Sequence, residues 1–309
     1  MNMYERKAGQ LPLKIYDCFT RTRFGGNVGG IVLEAGALDD AQMQAIALEI
    51  NAPVTGFVTG LNERELRIRF FMPTAEIPMC GHVTVGLYTY LYEQGLAGDG
   101  GAQPPLMKTG AGDIRVSITS TPENGISVMM GLAPATIEEC KIDRSIIAKA
   151  LRIDEAEINP DLPVEIGFTG LRHLFVPISK LETFNKMDPD FPALSSLSNQ
   201  VSVSTIAPFS LETMNPQNTL HCRDFCPAVG TDEVPGSGTT NSALAGYLVR
   251  NGLVEPADQD ATLHVLAEQG SELGRPSIIQ TGIVFNNGEF SQIRVGGNAV
   301  LSIDGFVNI

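Results

Sequence analysis

One stretch of the chain, Pro78-Met79-Cys80-Gly81-His82-Val83-Thr84-Val85-Gly86, constrains the fold more than any other, because a second stretch repeats its plan. Laying Cys80-Gly81 over Ser237-Gly238 in one register brings Leu87 onto Leu244, Tyr90 onto Tyr247, Leu91 onto Leu248 and Gly95-Leu96 onto Gly252-Leu253. Each copy reads as a small-residue turn, then a helix of about fifteen residues, then a glycine where a left-handed C-cap is wanted. Such a repeat predicts two similar halves, each organised on one helix whose N-terminus carries Cys or Ser, with a site between them.

Composition bounds the function classes. At 309 residues the chain is long enough for about two ordinary domains. With 43% hydrophobic and 18% charged residues it can bury real cores and is not a disordered chain. The net charge of −14 argues against nucleic acid and anionic membrane surfaces as partners, since both want Lys and Arg on one face. A small anionic substrate stays open, because backbone amides can hold one locally. No apolar run reaches a membrane span, and residues 1–10 are polar, without the apolar core of a signal peptide. Five scattered cysteines (18, 80, 140, 222, 226) read as a reducing cytoplasm and not as a disulfide scaffold. Cys222 and Cys226 lack a second ligand pair at zinc-binding spacing, so no metal is expected.

Periodicity then sets the order of elements. Strands are predicted over 13–19, 31–33, 54–58 and 66–71, with a helix capped by Asp39 and running to Ile50. After the first motif helix come a connector at 98–105 and strands at 113–119 and 126–130. Thr121-Pro122-Glu123-Asn124-Gly125 is a strong turn signal, and the domain boundary is expected there, giving halves 1–121 and 122–309. The second half reads as a helix near 145–151, strands at 165–168 and 172–178, a helix at 190–199, and strands at 201–206 and 219–225. The second motif helix follows, and 263–307 reads as strands that could pack back on the first half. The result is a strand-rich α+β chain without regular strand–helix alternation.

Cys80 is the sharpest chemical candidate. A thiol at a helix N-terminus feels the positive end of the dipole and free amides, which favour thiolate. A charged His82 would lower the thiol pKa further, or could touch substrate. The bland alternative is a small buried cysteine that only fills space. A helix N-terminus opened by small residues can also hold a carboxylate through its amides. Arg172 could clamp a carboxylate or be a strand-surface charge. Asp232 and Glu233 could assist Ser237 or be turn residues, and Glu76 reads as a support for the Cys-Gly-His turn. His173, His221 and His264 fall on strands and read as solvated or satisfied structural histidines.

The chain resembles the PhzF-like family, relatives of the phenazine-biosynthesis isomerase that share the diaminopimelate epimerase fold. Phe24-Gly25-Gly26-Asn27, the segment from Phe71 to His82, Gly170-Leu171-Arg172 through Pro177, Phe225 to Ala243, and Gln269-Gly270 with Gly274-Arg275-Pro276-Ser277 carry the likeness. It implies an α+β fold of two pseudo-symmetric domains, each a curved, mostly antiparallel sheet around a central helix. It also implies a cofactor-free cleft, proton transfer beside a carboxylate, and a homodimer. By their places in the motifs, Asn27, Gly81, His82, Gly238 and Thr239 would contact substrate.

Two departures matter. The family's catalytic Glu in Glu-Thr-x-Phe falls on Val54, and its Asp in Glu-Asp-Pro falls on Val234. By contrast, Pro78-Met79-Cys80-Gly81-His82 resembles the cysteine motif of diaminopimelate epimerase and proline racemases, whose second cysteine is matched here by Ser237. Inverting a stereocentre needs one group to take the proton and another to return it from the opposite face, while preorganised donors stabilise the carbanion-like state. The expectation is therefore an isomerase: a cofactor-independent epimerase or racemase acting on a small carboxylated amino or imino acid of the aspartate or iminodisuccinate type. Cys80, Ser237, Asp232 and His82 are its expected chemical groups. The alternatives are a PhzF-like double-bond or proton-shift isomerase and a non-catalytic small-molecule-binding homologue.

Overall fold

The computed structural model describes residues 7–97 and 103–309; residues 1–6 of the polar start and 98–102 of the expected connector lie outside them. The chain forms two compact units, Met1–Met130 with Gly296–Ile309, and Gly131–Val295. This division differs from halves at 1–121 and 122–309. The turn at 121–125 is not a linker: it closes an antiparallel hairpin in which Thr121 pairs with Gly125. The last strand belongs to the first unit because it lies along the first strand from Gln10↔Asn308 to Cys18↔Ala299.

In the first unit the strands are β1 (Gln10–Cys18), β2 (Asn27–Val32), β3 (Val54–Leu61), β4 (Glu65–Phe71), β5 (Glu76–Ile77), β6 (Leu106–Thr109), β7 (Gly112–Ile114), β8 (Val116–Thr121) and β9 (Gly125–Leu132). Helix α1 (Asp40–Ile50) follows β2 and α2 (Gly81–Glu93) follows β5. The second unit has β10 (Thr136–Glu139), β11 (Glu165–Phe168), β12 (Arg172–Pro177), β13 (Thr205–Ser210), β14 (Leu220–Cys222), β15 (Phe225–Cys226), β16 (Thr231–Glu233), β17 (Thr262–Gln269), β18 (Ser277–Asn286) and β19 (Glu289–Gly297). Its helices are α3 (Arg144–Leu151), α4 (Glu182–Lys186), α5 (Phe191–Val201) and α6 (Gly238–Arg250), and β20 (Ala299–Asn308) ends the chain.

The repeat inferred from the two helices extends to the sheets. The first sheet runs β20-β1-β2-β3-β4-β6-β7 and the second contains the run β10-β11-β12-β13-β14-β17-β18-β19. Parallel neighbours need a crossover, and among the described strands each sheet has parallel pairs in matching places. In the first, β2 and β3 enclose α1, and β4 and β6 enclose α2. In the second, β12 and β13 enclose α4 and α5, and β14 and β17 enclose α6. Most other pairings are antiparallel hairpins, such as β1 with β2 and β17 with β18.

Local signals explain the boundaries. Asp39 caps α1 with a full capping box to Gln42, and Asp190 caps α5 by accepting from the Ala193 amide. A strand expected at 201–206 begins later, at Thr205, because α5 continues through Val201 and ends on Ser202 in the left-handed region. The strand expected at 219–225 is split into β14 and β15. Each central helix is buried nearly all round, as a helix wrapped by its sheet must be: Val83, Val85, Leu87, Tyr88 and Leu91 in α2, and Ala243 through Leu248 in α6, are inaccessible or almost so. The approach of α2 to β1 depends on Gly86, where a Cβ would sit 2.9 Å from Cβ of Tyr16. No helix among the described residues is long and apolar enough to cross a membrane.

Candidate active site

Cys80 is the N-cap of α2, with extended backbone (φ −142°, ψ 117°), and Ser237 is the N-cap of α6 with nearly the same values (φ −133°, ψ 119°). The C-terminal ends match as well. Leu96 N–H donates to Leu91 O and Leu253 N–H to Leu248 O, around glycines 95 and 252 at φ +68° and +64°. The tyrosines do not follow the sequence register. Tyr247 donates its hydroxyl to Pro163 O at 2.7 Å, and in the first unit Tyr88, not Tyr90, does the same to Pro105 O at 2.6 Å.

At the α2 end Cys80 is 6% exposed. The amides of Val83 and His82 point at its sulfur, and His82 Nδ1 lies 3.3 Å from it. The amides favour thiolate, but desolvation is the larger effect and pushes the thiol up to about 12. The dipole argument from sequence is therefore outweighed by burial. His82 is likewise held neutral: burial pushes it down to about 4, against a bond to the Val28 backbone. In place of a charged His82 activating the thiol, the structure has a neutral imidazole beside a protonated thiol. Asn27 starts β2 and is buried, opposite Cys18. The loop before it turns on Gly26, at φ +61°, where a Cβ would stand 2.2 Å from Cys18 O. Glu76 grips Arg69 through both oxygens at 2.7 Å, which lowers its pKa and makes it a support.

The α6 end is built differently. Ser237 Oγ accepts from the Thr240 amide, lies 2.9 Å from Thr240 Oγ1 and 3.2 Å from Thr239 Oγ1. The Thr240 hydroxyl also reaches Asp224 Oδ2 at 2.6 Å and His173 Nδ1 at 3.2 Å, and His173 Nδ1 lies 2.8 Å from Thr205 Oγ1. Parallel pairing sets that last contact, because His173 and Thr205 are register partners on β12 and β13. Burial pushes Asp224 up to about 6, while the hydroxyls of Thr240, Thr205 and Ser237 pull it back. His173 is driven down to about 3 by burial alone. The turn before the helix is laced by Gln269, whose amide donates to Val234 O and whose oxygen accepts from Ser237 N–H and Asn241 Nδ2.

Several expected residues take other places. Asp232 is exposed on β16, and the groups that bond Ser237 are Thr239, Thr240 and Gln269 instead. Glu233 is occupied by a two-pronged pair with buried Arg223, at 2.9 and 2.7 Å. Arg172 donates to Ser202 O and pairs with Glu138 near the surface, the strand-charge reading and not the clamp. His221 is satisfied between Glu268 and Glu272, as a structural histidine should be. His173 is not: its Nε2 is buried without a partner, as is Asp224 Oδ1. Asp224 and Thr240 did not stand out in the sequence, and His173 read there as a solvated or satisfied structural histidine. The one available signal was the charged pair Arg223-Asp224 set between Cys222 and Phe225-Cys226.

Comparison with known proteins agrees with this layout. The sequence profile of the phenazine biosynthesis-like family (PhzC-PhzF) matches residues 16–305. The isomerase YddE of Escherichia coli K12 is 31% identical over 287 residues, covering 92% of this chain and 94% of YddE. The crystal structure of a PhzF-family phenazine biosynthesis protein from Bacillus anthracis superposes with a TM-score of 0.88 at 27% identity, over 97% of this chain and 99% of that one. A hydroxyproline epimerase from Agrobacterium vitis shares the fold alone, with a TM-score of 0.62 at 12% identity, covering 99% of this chain and 94% of its own. These likenesses define the class, an isomerase of α+β fold. Within it the chain belongs to the phenazine biosynthesis-like family.

Proposed function

We propose that the protein is a cofactor-independent epimerase or racemase, inverting the α-carbon of a small carboxylated amino or imino acid of the aspartate or iminodisuccinate type. The observation that carries this reading is Cys80: a buried thiol at a helix N-cap, with two backbone amides and a neutral imidazole around its sulfur. A thiol that only filled space would need none of these.

Because burial keeps Cys80 protonated in the ligand-free protein, its first act in the resting form is to give a proton. Removal on the opposite face is assigned to Ser237, by the resemblance to two-cysteine epimerases. In the reverse direction the roles exchange, as microscopic reversibility requires. Free amides of the helix N-termini, with Gly81 and Gly238 leaving room for approach, would hold the substrate carboxylate and the charge that develops beside it. Asn27, His82 and Thr239 complete the proposed substrate contacts; Arg172 and Asp232 take no part. The acting form would be a cytoplasmic homodimer. A PhzF-type route by an acid on β3 finds no support, since Val54 stands at that place and a valine moves no proton.

The test is α-proton exchange in D2O on a panel of aspartate-like amino and imino acids, followed by NMR and chiral chromatography. Deuterium should enter the α-carbon with loss of optical purity, and Cys80→Ser should abolish inversion. Wild-type protein that exchanges no acid of the panel, or exchange with inversion untouched by the substitution, would overturn the reading.

A further inference from the structure

A serine hydroxyl is a poor partner for a thiol in proton transfer, since unassisted it neither gives nor takes a proton readily near neutral pH. The second unit places something behind it. From Ser237 Oγ a line of hydroxyl contacts runs inward, 2.9 Å to Thr240 Oγ1 and then 2.6 Å to Asp224 Oδ2. Every inner member of this line is buried: Thr240 0%, Asp224 1% and His173 0% exposed. Two of its polar atoms, Asp224 Oδ1 and His173 Nε2, have no hydrogen-bond partner. An unpartnered buried carboxylate oxygen costs free energy that a merely structural network would avoid. Among the described residues the α2 end shows no counterpart: Thr84, four residues after Cys80, bonds the backbone carbonyl of Cys80 and not its sulfur.

We propose that Asp224 is the proton reservoir of Ser237, exchanging a proton with it through the hydroxyl of Thr240, with His173 and Thr205 as the positioning residues that hold Thr240 and Asp224 in line. The inference deepens the epimerase reading and rests on it for the reaction served. Each transfer balances. When Asp224 carries the proton, Asp224 donates to Thr240 Oγ1, Thr240 donates to Ser237 Oγ, and the Ser237 proton goes to the substrate carbanion, leaving an Asp224 carboxylate. When Asp224 is ionised, all three donations reverse, and Ser237 can take the substrate α-proton while Asp224 gains one. No alkoxide accumulates, no proton is created, and the two Asp224 states serve the two directions of inversion.

The surroundings suit a group that must hold either state. Burial raises Asp224 toward neutrality, and the hydroxyls beside it hold it back. The other titratable groups facing it are Cys222 on β14, Cys226 on β15 and Glu233 on β16, while His173 on β12 meets the same Thr240 hydroxyl. Burial keeps both thiols protonated and His173 neutral. Glu233 is paired with Arg223. Asp224 is therefore the member of this group that changes charge near pH 6.

The experiment compares wild type, Thr240→Val, Thr240→Ser and Asp224→Asn in the full-length protein, with inversion and α-deuterium incorporation measured separately from each enantiomer. Thr240→Val should lose inversion by about 100-fold, and deuterium incorporation from the enantiomer that Ser237 faces should fall with it. Thr240→Ser, which restores the hydroxyl, should recover most of the loss. The wild-type rate should show a limb near pH 6 that is absent in Asp224→Asn. Inversion with an unchanged pH profile in Thr240→Val and Asp224→Asn would overturn the proposal while leaving the epimerase reading intact. Should wild type exchange no acid at all, the epimerase reading fails and a substrate-free measurement decides the relay. There the 13C shift of the Ser237 β-carbon should follow the Asp224 carboxyl titration in wild type and Thr240→Ser, and lie flat in Thr240→Val. A Ser237 signal indifferent to Asp224 in wild type would sink it.

Discussion

The two central helices begin with almost the same backbone and end in the same cap, yet their first residues live in opposite surroundings. The α2 end is buried and, among the described residues, has no side-chain relay: a thiol faced by two backbone amides, a neutral histidine, and burial that keeps the proton on sulfur. The α6 end is wired: a hydroxyl that caps its helix and connects to a buried acid through a second hydroxyl. A thiol is acidic enough to need only amides and a shift in its surroundings. A serine needs help, and the fold supplies that help from β12, β13 and the segment after β14. The repeated scaffold has thus been kept while the chemistry at each helix end was solved separately.

Exchanging the two N-caps tests this contrast most severely. Cys80→Ser should cost about 10²–10⁴-fold in turnover, because proton transfer by a positioned group is worth that much. At the same time it should raise stability by about 0.5–1 kcal/mol in thermal unfolding, since a serine oxygen accepts from first-turn amides better than the sulfur that faces the Val83 and His82 amides. The reverse change, Ser237→Cys, should lower both, by losing the bond from Thr240 N–H and the relay. A Cys80→Ser protein that keeps its turnover would remove the thiol from the site.

Next in size are the glycines. Ala at Gly26 or Gly270 would stand 2.2 Å from Cys18 O or 2.4 Å from Pro235 O, at positive φ in both cases. Each should cost about 3 kcal/mol or more in denaturant unfolding. Ala at Gly95 or Gly252, also at positive φ but with open space around, should cost only about 1 kcal/mol, and equally in the two units. Unequal losses at these two caps would break the structural repeat.

Stability against pH separates the units more finely. Asp224 rises on folding from 3.8 to about 6, so folding favours its protonated form. The stabilisation is complete below about pH 4 and is lost as pH rises through 6. Wild type should therefore lose on the order of 2–3 kcal/mol relative to Asp224→Asn across that window. His82 in the first unit has the opposite sign. Its value falls from 6.5 to about 4, so its contribution is present above 6.5 and lost as pH falls through 4. The pH dependence of unfolding for His82→Gln and Asp224→Asn against wild type checks both signs.

The smallest effects concern the tyrosines. Tyr88→Phe and Tyr247→Phe should each cost about 1 kcal/mol by orphaning the carbonyl of Pro105 or Pro163. Tyr90→Phe, though it aligns with Tyr247 in sequence, should stay within about 0.5 kcal/mol, because Tyr90 is half-buried and lies under Lys14. Equal losses at Tyr88 and Tyr90 would contradict the assignment.

Much of the fold was legible along the chain. The two motif helices, their glycine caps, the Asp39 and Asp190 caps and the strands at 54, 66, 165 and 172 are local events, decided by neighbours a few residues apart. Cys80 and Ser237 stood out because a helix N-cap is also local. The turn at 121–125 was legible as a turn, and the hairpin it closes carries the first compact unit on to Met130. That the last strands could return to the first half was open in the sequence; the register of β20 on β1 joins residues nearly three hundred apart, which no local pattern encodes.

The amino-acid sequence by itself determined the repeat and the positions of the two helix ends, since these are matters of residue type and spacing, and it placed Val54 and Val234 where the family resemblance implies a Glu and an Asp. Only the tertiary structure decided the protonation of Cys80, the neutrality of His82 and the relay from Asp224 to Ser237. Each depends on desolvation and on contacts between β12, β13, the segment after β14 and α6. Charge states are set by what surrounds a group in space, and those surroundings come from residues far apart in the chain.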